Sequence, residues 1–364
     1  MSIPRGDFLQ QLKIVAPALN TRGIIPELQN FYFVEDQVAT FSGRFVMRAP
    51  SALPLAGGVQ GPNLLGMLDK SRARTVEIAE ETAQEITLKL GVSRVRFPLA
   101  APYEIPKLAL GKKGLECPLT PELIHLLELG LINGSDDPAL EDRSGILFRV
   151  EKGVMECLST DNKTLTWAAA DCASSMSLKP IAVSSDVVGE IIRLWKAVEA
   201  KTATLFLSQQ GVAVVLEVPE LGGNCSLTAS IRPVPASAWT TCTKVLDRCE
   251  DNPKVQKVEV PNGLAPALDR ALVLNTPNEP IRTIFSIEDS TLVLTTTSKV
   301  HGEIVDRVKI GGKGAEFKEV VGAFEPLLLK RSLKYATHIG FSETELSLSS
   351  QDFLHLIAVT TGPL

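Results

Sequence analysis

The sequence has 364 residues, a mass of 39.2 kDa and a net charge of −5 at pH 7. It is longer than one compact core usually requires, and its acidity excludes a simple basic nucleic-acid binder. It has no run of about 18 apolar residues that could span a membrane, and its first residues lack the apolar core of a signal peptide. Six widely spaced cysteines without a C-x-x-C pair favour reduced thiols in a cytoplasm over disulfides or a zinc site.

The first third of the chain predicts helix, hairpin, helix and further strands. In residues 7–19 the apolar positions recur at helical spacing, at Phe8, Leu12, Val15 and Leu19. Residues 31–43, FYFVEDQVATFSG, are two β-rich runs around the polar pair Glu35-Asp36, which predicts a hairpin. A second helical stretch follows at 61–74, and residues 76–91 read as strand, polar turn and strand.

The same order of elements returns twice. Hairpin patterns recur at 147–159 (LFRVEKGVMECLS) and at 284–296 (IFSIEDSTLVLTT). Helical stretches precede them at 120–130, with Thr120 as cap and Pro121 at the first position, and at 262–274, with a stripe at Leu264, Leu268 and Leu272. Second helices and strand pairs follow both hairpins. Chance recurrence of a common hairpin is the alternative, but four elements in one order favour three copies of an α+β module with antiparallel sheets.

These stretches resemble the bacterial sliding clamp, the β subunit of DNA polymerase III. The similar stretches are NTRGIIPELQNFYF near the N-terminus, SRVRFPLAAPYEIP, and SGILFRVEKGVMECLSTDNKTL, which resembles the family's hairpin and Thr-Asp-Gly-His-Arg-Leu segment. The resemblance covers essentially the whole chain and implies three clamp domains, 1–117, 118–250 and 251–364, each with two helices on antiparallel sheet. It further implies a head-to-tail homodimeric ring, bacterial or phage-encoded, that encircles duplex DNA in the cytoplasm and tethers the replicative polymerase and clamp loader.

A ring around DNA requires cations at a suitable radius, without base readout. Each second helical stretch carries three cations near its C-terminal end, and the family places a DNA-contacting arginine after the first helix. The candidate DNA-binding residues are Arg22, Lys70, Arg72, Arg74, Arg193, Lys196, Lys201, Lys330, Arg331 and Lys334. The alternative is that the helix dipole alone favours cations at helix C-termini. We also expect Glu190, Glu199 and Glu325 to weaken the positive electrostatic potential of these cations.

The resemblance implies a partner-peptide groove built from the Thr-Asp segment and the C-terminal tail. The candidate groove residues are Thr160, Asp161, Asn162, Lys163, Thr164, Leu165, Val359, Thr360, Pro363 and Leu364. Here Asn-Lys-Thr replaces the family's Gly-His-Arg, and the tail lacks its methionines, which suggests an altered set of partners. The alternative is a plain turn with side-chain caps at residues 160–162.

Ring closure in the family pairs an edge strand of the first domain with one of the third through a small apolar contact. By position, Tyr103 or Ile105 would face Val273 and Leu274. The alternative is that Val273 and Leu274 only end a core helix.

Catalytic and metal-site motifs are absent from the sequence. The four histidines show no paired spacing, GGKG at 311–314 does not complete a phosphate-binding loop, and no G-x-S-x-G or G-x-G-x-x-G pattern occurs in a strand–helix context. We therefore expect no reaction, no cofactor and no metal. The competing hypothesis is a repeat-built protein–protein scaffold that never holds DNA, and an enzyme with a shallow cleft ranks third.

Overall fold

The structure is a computed structural model that describes residues 2–21, 23–111, 113–250, 252, 255–276, 281–288, 290–310, 321–342 and 344–359, without the side chains of Pro233 and Glu250. Four predicted site residues, Arg22, Thr360, Pro363 and Leu364, lie outside these ranges, as does the GGKG segment.

The chain repeats one order of elements three times: strand, helix, four strands, helix, three strands. The first copy consists of β1 (Ser2–Pro4), α1 (Arg5–Val15), β2 (Asn30–Val34), β3 (Gln37–Phe41), β4 (Phe45–Pro50), β5 (Gly57–Gln60), α2 (Gly61–Lys70), β6 (Thr75–Glu81), β7 (Glu85–Leu90) and β8 (Ser93–Pro98). The second consists of β9 (Gly114–Pro118), α3 (Pro121–Gly130), β10 (Ile146–Glu151), β11 (Val154–Thr160), β12 (Thr164–Asp171), β13 (Leu178–Val183), α4 (Ser185–Ala197), β14 (Thr202–Ser208), β15 (Gly211–Val218) and β16 (Gly223–Ser230).

Two elements outside this order, β17 (Arg232–Pro233) and α5 (Ala236–Glu250), separate the second copy from the third. The third copy consists of β18 (Gln256–Glu259), α6 (Leu264–Val273), β19 (Thr283–Glu288), β20 (Thr291–Ser298), β21 (Gly302–Lys309), β22 (Val321–Phe324), α7 (Pro326–Leu333), β23 (His338–Phe341), β24 (Glu345–Ser350) and β25 (Phe353–Ala358). The predicted fold class, three α+β domains of antiparallel sheet with helices, is therefore confirmed.

The elements form two compact units. The first unit contains residues 1–124 and 172–233, and the second contains 125–171 and 234–364. The first unit has an eight-stranded antiparallel sheet in the order β5-β2-β3-β4-β16-β15-β14-β9 and a four-stranded sheet in the order β1-β6-β7-β8. In the second unit the orders are β10-β11-β12-β25-β24-β23-β18 and β21-β20-β19-β22. The predicted domain boundaries differ from these divisions and stay predictions.

Two of the strand pairings join different copies of the repeat. In the first unit, β4 pairs with β16, with Met47 opposite Leu227. In the second unit, β12 pairs with β25 at the equivalent place in the order, with Leu165 opposite Leu356. Each join therefore links the fourth strand of one copy to the last strand of the next copy.

Each of the three predicted hairpins has a residue of positive φ in the turn between its strands. Glu35 and Lys152 directly follow β2 and β10, whereas Ser290 directly precedes β20, and their φ values lie between 53° and 61°. Positive φ in a two-residue hairpin turn matches the twist of the flanking strands. A turn residue of positive φ therefore recurs in all three hairpins, although the turns share few letters.

The helices bury the apolar stripes that the sequence predicts, but α1 ends earlier than expected and Leu272 is not fully buried. Phe8, Leu12 and Val15 are fully buried on α1, which ends at Val15 because Pro17 cannot continue the hydrogen-bond ladder. On α6, Leu264 and Leu268 are fully buried, whereas Leu272 is only half-buried.

Candidate functional site

The second unit contains a cavity of about 220 Å³ lined by five segments of the chain. Five of the predicted groove residues line it, namely Thr160, Asn162, Lys163, Thr164 and Leu165. The end of β25 and the start of β24 form a second side, with Leu356, Ile357, Thr344 and Glu345. Arg143 and one face of α5 complete the lining. The Thr-Asp segment thus borders a real cavity, and Asp161 and Val359 do not line it.

The turn between β11 and β12 is held by side-chain caps. Asp161 Oδ1 accepts hydrogen bonds from the backbone N–H groups of Lys163 and Thr164, at 3.0 and 2.7 Å. Thr160 Oγ1 donates to the carbonyl of Thr164 at 2.7 Å, and Asn162 adopts a φ of 69°. These are the features of the plain turn considered above. The turn and the cavity coexist, because the caps present Leu165 at the start of β12.

The apolar floor of the cavity comes from the join between β12 and β25. Leu165 lies opposite Leu356 and Thr164 lies opposite Ile357 in this antiparallel pair. Leu165 and Leu356 are both buried, so only a small part of each is available to a ligand. Val359, the last described residue of the tail, instead donates its N–H to the carbonyl of Thr344 at 2.9 Å.

Helix α5 forms the wall that the sequence did not predict. Its lining residues follow helical spacing: Thr241, Cys242, Val245, Arg248 and Cys249. The Cys249 thiol donates to Glu345 Oε2 at 2.6 Å, and Asn252 Nδ2 donates to the other carboxylate oxygen at 3.2 Å. Burial, reinforced by this contact with Glu345, raises the pKa of Cys249 to about 12. The thiol is therefore a protonated donor that holds Glu345 in place.

The start of α5 is anchored to strands β10 and β11 of the same unit. The Arg149 guanidinium lies over the ring of Trp239, 4.8 Å from its centroid, and its Nη2 lies 2.5 Å from Glu156 Oε2. Glu156 also accepts from Trp167 Nε1 at 3.2 Å. This cluster ties the start of α5 to strands β10, β11 and β12.

The candidate DNA-binding cations divide into those within helices and those beyond them. Lys70, Arg193, Lys196, Lys330 and Arg331 lie within the last two turns of α2, α4 and α7. The prediction that all nine described cations belong to the helices is wrong for four of them, because each helix stops earlier than expected. Lys334 caps α7, and the residues farther beyond are Arg72, Arg74 and Lys201.

Several of these cations are engaged in ion pairs. Arg193 lies 2.5 Å from Glu190 and also donates to the carbonyl of Ile14 at 2.8 Å. Lys201 lies 3.5 Å from Glu217, and Lys330 pairs with Asp269. Lys334 lies over the ring of Tyr335. Partners of this kind reduce the charge that a phosphate would meet.

The other cations are exposed. Within the described residues, no carboxylate lies within ion-pair distance of Lys70, Arg72, Arg74 or Arg331, whose side chains face solvent. The cluster of Lys70, Arg72 and Arg74 at the end of α2 therefore carries the least compensated charge among the predicted positions.

The predicted ring-closing residues do not lie on an edge strand. Tyr103 and Ile105 belong to residues 101–111, which form neither helix nor strand, and the Tyr103 ring lies 5.2 Å from that of Tyr32. Pro102 and Pro106 lack the N–H that a paired strand requires. The prediction that Tyr103 and Ile105 lie on an edge strand is therefore wrong. The edge strand that precedes them in the chain is β8, in the four-stranded sheet β1-β6-β7-β8.

Val273 and Leu274 lie at the end of α6. Leu274 is buried and caps the helix, as the alternative proposed, whereas Val273 is 76% exposed. Of these two residues, Val273 is the one exposed to solvent.

One histidine is buried in a polar cluster beneath the β12–β25 join. His355 Nδ1 lies 2.9 Å from Thr166 Oγ1 and 3.2 Å from Asn133 Nδ2. Burial lowers the pKa of His355 to about 4, so the ring is neutral at physiological pH. Among the described residues no group of three or more His, Cys, Asp or Glu side chains could hold a metal ion, and no described helix is long and apolar enough to cross a membrane.

The architecture built by these elements is the fold of the bacterial DNA sliding clamp. The crystal structure of the DNA polymerase III β subunit from Thermotoga maritima matches with a TM-score of 0.80 at 17% identity, covering 100% of this chain and 99% of that one. The sliding clamp from Bacillus subtilis matches at 0.81 and 14% identity, with 100% and 99% covered. A β subunit described as putative, from Eubacterium rectale, matches at 0.83 and 13% identity, with 99% and 98% covered. No family model and no curated protein matches the sequence.

Proposed function

We propose that this chain is a sliding clamp that closes into a head-to-tail dimeric ring around duplex DNA. In this role it tethers a replicative polymerase and other partners through the cavity beside α5, and it carries out no reaction of its own. The observation that carries the proposal is the full-length match to clamp structures, together with the threefold order of elements. Its place of action would be the cytoplasm.

The two joins between repeats support closure by a second copy. In the described part of the chain, β8 and β21 each stand at the end of a sheet without a further strand. These are the equivalents of the strands used at the joins, since β8 corresponds to β16 and β25, and β21 corresponds to β4 and β12. A free strand edge is an aggregation hazard unless it is paired. Pairing β8 of one copy with β21 of another would give two such intermolecular joins in a dimer.

The side chains on these two edges suit such a pairing. On β8, Val95 is half-exposed between the exposed cations Arg94 and Arg96. On β21, Val305 is 48% exposed and Glu303 is exposed. Cross-strand contacts between apolar residues and between opposite charges each contribute about 0.2–1 kcal/mol.

Mass and topological retention test the proposal. We expect a solution mass near twice 39.2 kDa, and retention on nicked circular DNA that is lost when the circle is linearised. Equal retention of the protein on nicked circular DNA and on linearised DNA would contradict encirclement, even when the protein is loaded at high concentration. A monomer without retention would favour the scaffold hypothesis.

The edge pairing has its own test. Val305→Arg would replace an exposed apolar side chain on β21 by a further cation, and it should shift the protein towards monomer if this edge meets Arg94 and Arg96 on β8. Val300→Arg is the matched control, because Val300 is 75% exposed in the turn that precedes β21. An unchanged mass for both variants would remove this edge from the interface.

The cations at the end of α2, Lys70, Arg72 and Arg74, form the part of the DNA surface that we propose first. Replacing Lys70, Arg72 and Arg74 with Gln should shorten residence on DNA while leaving the dimer intact, because phosphate contacts depend on net charge. A matched triple variant at Lys152, Lys244 and Lys257, all exposed, should retain DNA as the wild type does. Equal retention by both triple variants at physiological salt would remove the first cluster from the site.

A further inference from the structure

The first residue of α1 is bonded to both ends of the segment that carries the least compensated cations. Arg5 Nη1 donates to the carbonyl of Leu68 at 2.7 Å, and Arg5 Nε donates to the carbonyl of Ala73 at 2.9 Å. The backbone N–H of Arg5 donates to the carbonyl of Arg74 at 2.9 Å. We call residues 68–74 the basic segment. Three hydrogen bonds from one residue therefore close it at both ends.

The guanidinium of Arg5 suits this position. Leu68 lies in the last turn of α2, where carbonyls lack their usual partners within the helix and the helix dipole favours a cation. The donors of a guanidinium are fixed in a planar fork, so one group can bond two carbonyls at once. A lysine ammonium carries the same charge without this fork. Arg5→Lys therefore separates the charge of the side chain from its geometry.

Exposure alternates along the basic segment. Lys70, Arg72 and Arg74 are exposed, whereas Ser71 and Ala73 are half-buried. Ser71 has an extended backbone, with φ −73° and ψ 138°, and alternate side chains of an extended chain lie on the same side, about 6–7 Å apart. The three cations therefore form a row along one side of the segment, which suits the closely spaced charges of a DNA backbone. This row depends on the conformation of the segment.

The single carboxylate of the basic segment is also held by α1. Asp69 Oδ1 lies 2.9 Å from Lys13 Nζ. This hydrogen bond from Lys13, with a smaller contribution from the charge of Arg5, lowers the pKa of the Asp69 carboxyl. Because Asp69 pairs with Lys13, its charge compensates a cation outside the segment, and the row of three cations keeps its own charge.

The tie from the start of the first helix belongs to the first copy of the repeat. Helices α3 and α6 begin at Pro121 and Leu264, and the sequence has no arginine or lysine at 119–124 or 260–266. The cations that follow α4 and α7 also have partners, since Lys201 lies 3.5 Å from Glu217 and Lys334 lies over the ring of Tyr335. The first copy therefore combines free cations with an arginine that holds them.

We propose that Arg5 is a positioning residue for DNA, which holds the basic segment so that Lys70, Arg72 and Arg74 meet the phosphates as a preformed row. Arg5 does not contact DNA in this role, because its Nε and Nη1 donors are directed at carbonyls. The inference rests on the proposed function in taking these three cations as part of the DNA surface. A preformed row binds more tightly than a loose one, because the segment need not be ordered on binding.

Arg5→Lys and Arg5→Gln test the inference on the full-length protein. Hydrogen exchange, measured by mass spectrometry on peptides that cover residues 69–75, should be faster in both variants because both lose the fork. Residence on nicked circular DNA should shorten severalfold in both, at an unchanged solution mass. Arg44→Lys is the matched control, since it makes the same exchange at an exposed arginine of the same unit that pairs with Asp186. It should behave as the wild type in both measurements.

A cycle of variants shows whether Arg5 acts through the three cations. When Lys70, Arg72 and Arg74 are already replaced with Gln, Arg5→Lys should shorten residence no further, because no row is left to position. A shortening as large as in the wild-type background would overturn the inference, since Arg5 would then act elsewhere. Wild-type residence of Arg5→Lys beside a short residence of Arg5→Gln would also overturn it, because the charge of Arg5 would then contact DNA directly.

Failure of the clamp proposal is recognised separately, by loss of the difference between nicked circular and linearised DNA in the wild type. In that case elution from heparin, a polyanion that needs no encirclement, measures the same cations. Elution of Arg5→Lys at lower salt than the wild type and Arg44→Lys would support this inference and reject the clamp, whereas co-elution of all three would overturn both. Unchanged hydrogen exchange at residues 69–75 in Arg5→Lys would overturn the inference whether or not the protein is a clamp.

Discussion

Acidification should destabilise the second unit through His355. The imidazole is fully buried, and its Nδ1 faces Thr166 and the amide of Asn133. Asn133 Nδ2 can only donate, so Nδ1 serves as an acceptor and the ring is neutral. A second proton on Nδ1 would break this contact and bury a charge.

The magnitude follows from the difference between the folded and unfolded states. The pKa of His355 is about 4 in the folded chain, against 6.5 for an unburied imidazole. Between these values the unfolded state binds more protons, so the free energy of unfolding falls as pH falls from 6.5 towards 4. At about 1.4 kcal/mol per pKa unit the full effect is about 3 kcal/mol, of which about 2 kcal/mol is lost by pH 5.

Urea denaturation monitored by circular dichroism at pH 7.5, 6.5, 5.5 and 5.0 measures this slope. His355→Gln keeps a polar side chain that does not titrate, and it should flatten the pH dependence whatever its effect at pH 7.5. His338→Gln is the control, because His338 is exposed, and it should keep the slope of the wild type. NMR titration of the His355 ring should give an apparent pKa of about 4, well below the 6.5 of an unburied imidazole.

The same pH dependence in wild type and His355→Gln would refute this reasoning. It would mean that another group titrates in this range, or that the unfolded chain protects the imidazole equally.

Three further predictions concern packing and reactivity. All six cysteines are buried, and burial raises the pKa of Cys117 and Cys225 to about 11, so a thiol reagent at pH 8 should modify the native protein slowly and all six thiols after unfolding. Rapid modification of the native protein would contradict this burial. Gly114→Ala should lower stability by about 1–3 kcal/mol by overpacking, because a Cβ there would lie against the ring of Phe206 and 2.8 Å from the carbonyl of Leu207. Gly189→Ala, in the interior of α4 with no atom within 4 Å of the added Cβ, should raise stability by about 0.5–1 kcal/mol; thermal denaturation of the two variants checks both signs.

The repeated order of elements was predictable because local pattern determines it. Each hairpin has two β-rich runs around a short polar turn, and each first helix has a clear apolar stripe. Helix ends were less predictable, since α2 stops at Lys70 although the basic stretch continues to Arg74. No local signal distinguishes the last helical cation from the next one in the loop.

Helix α5 was not predicted, although its buried residues Trp239, Cys242, Leu246 and Cys249 recur at helical spacing. Its sequence, ASAWTTCTKVLDRCE, has threonines where a helix usually has residues of high propensity. Thr240 and Thr241 instead donate their hydroxyls to the carbonyls of Ala236 and Ser237, four residues earlier. Tertiary packing, through the anchor at Trp239, outweighs the low propensity.

The candidate cavity was only partly predictable because its walls are distant in sequence. The Thr-Asp segment supplied one side through resemblance to a known family. Arg143 and Glu345 had no motif of their own, and only the fold brings them to α5. The failure at Tyr103 has a similar origin, because position in the sequence did not reveal that strand β8 ends at Pro98.

The position of Trp239 gives the protein a built-in optical signal. Its indole is only 3% exposed and lies in the first turn of α5, directly beneath the Arg149 guanidinium. A ligand that tilts α5 would change the distance between indole and cation, and with it the emission of an unlabelled sample. Of the other two tryptophans, Trp195 belongs to the other unit, so Trp195→Phe would remove its background and leave a spectrum dominated by the surroundings of α5.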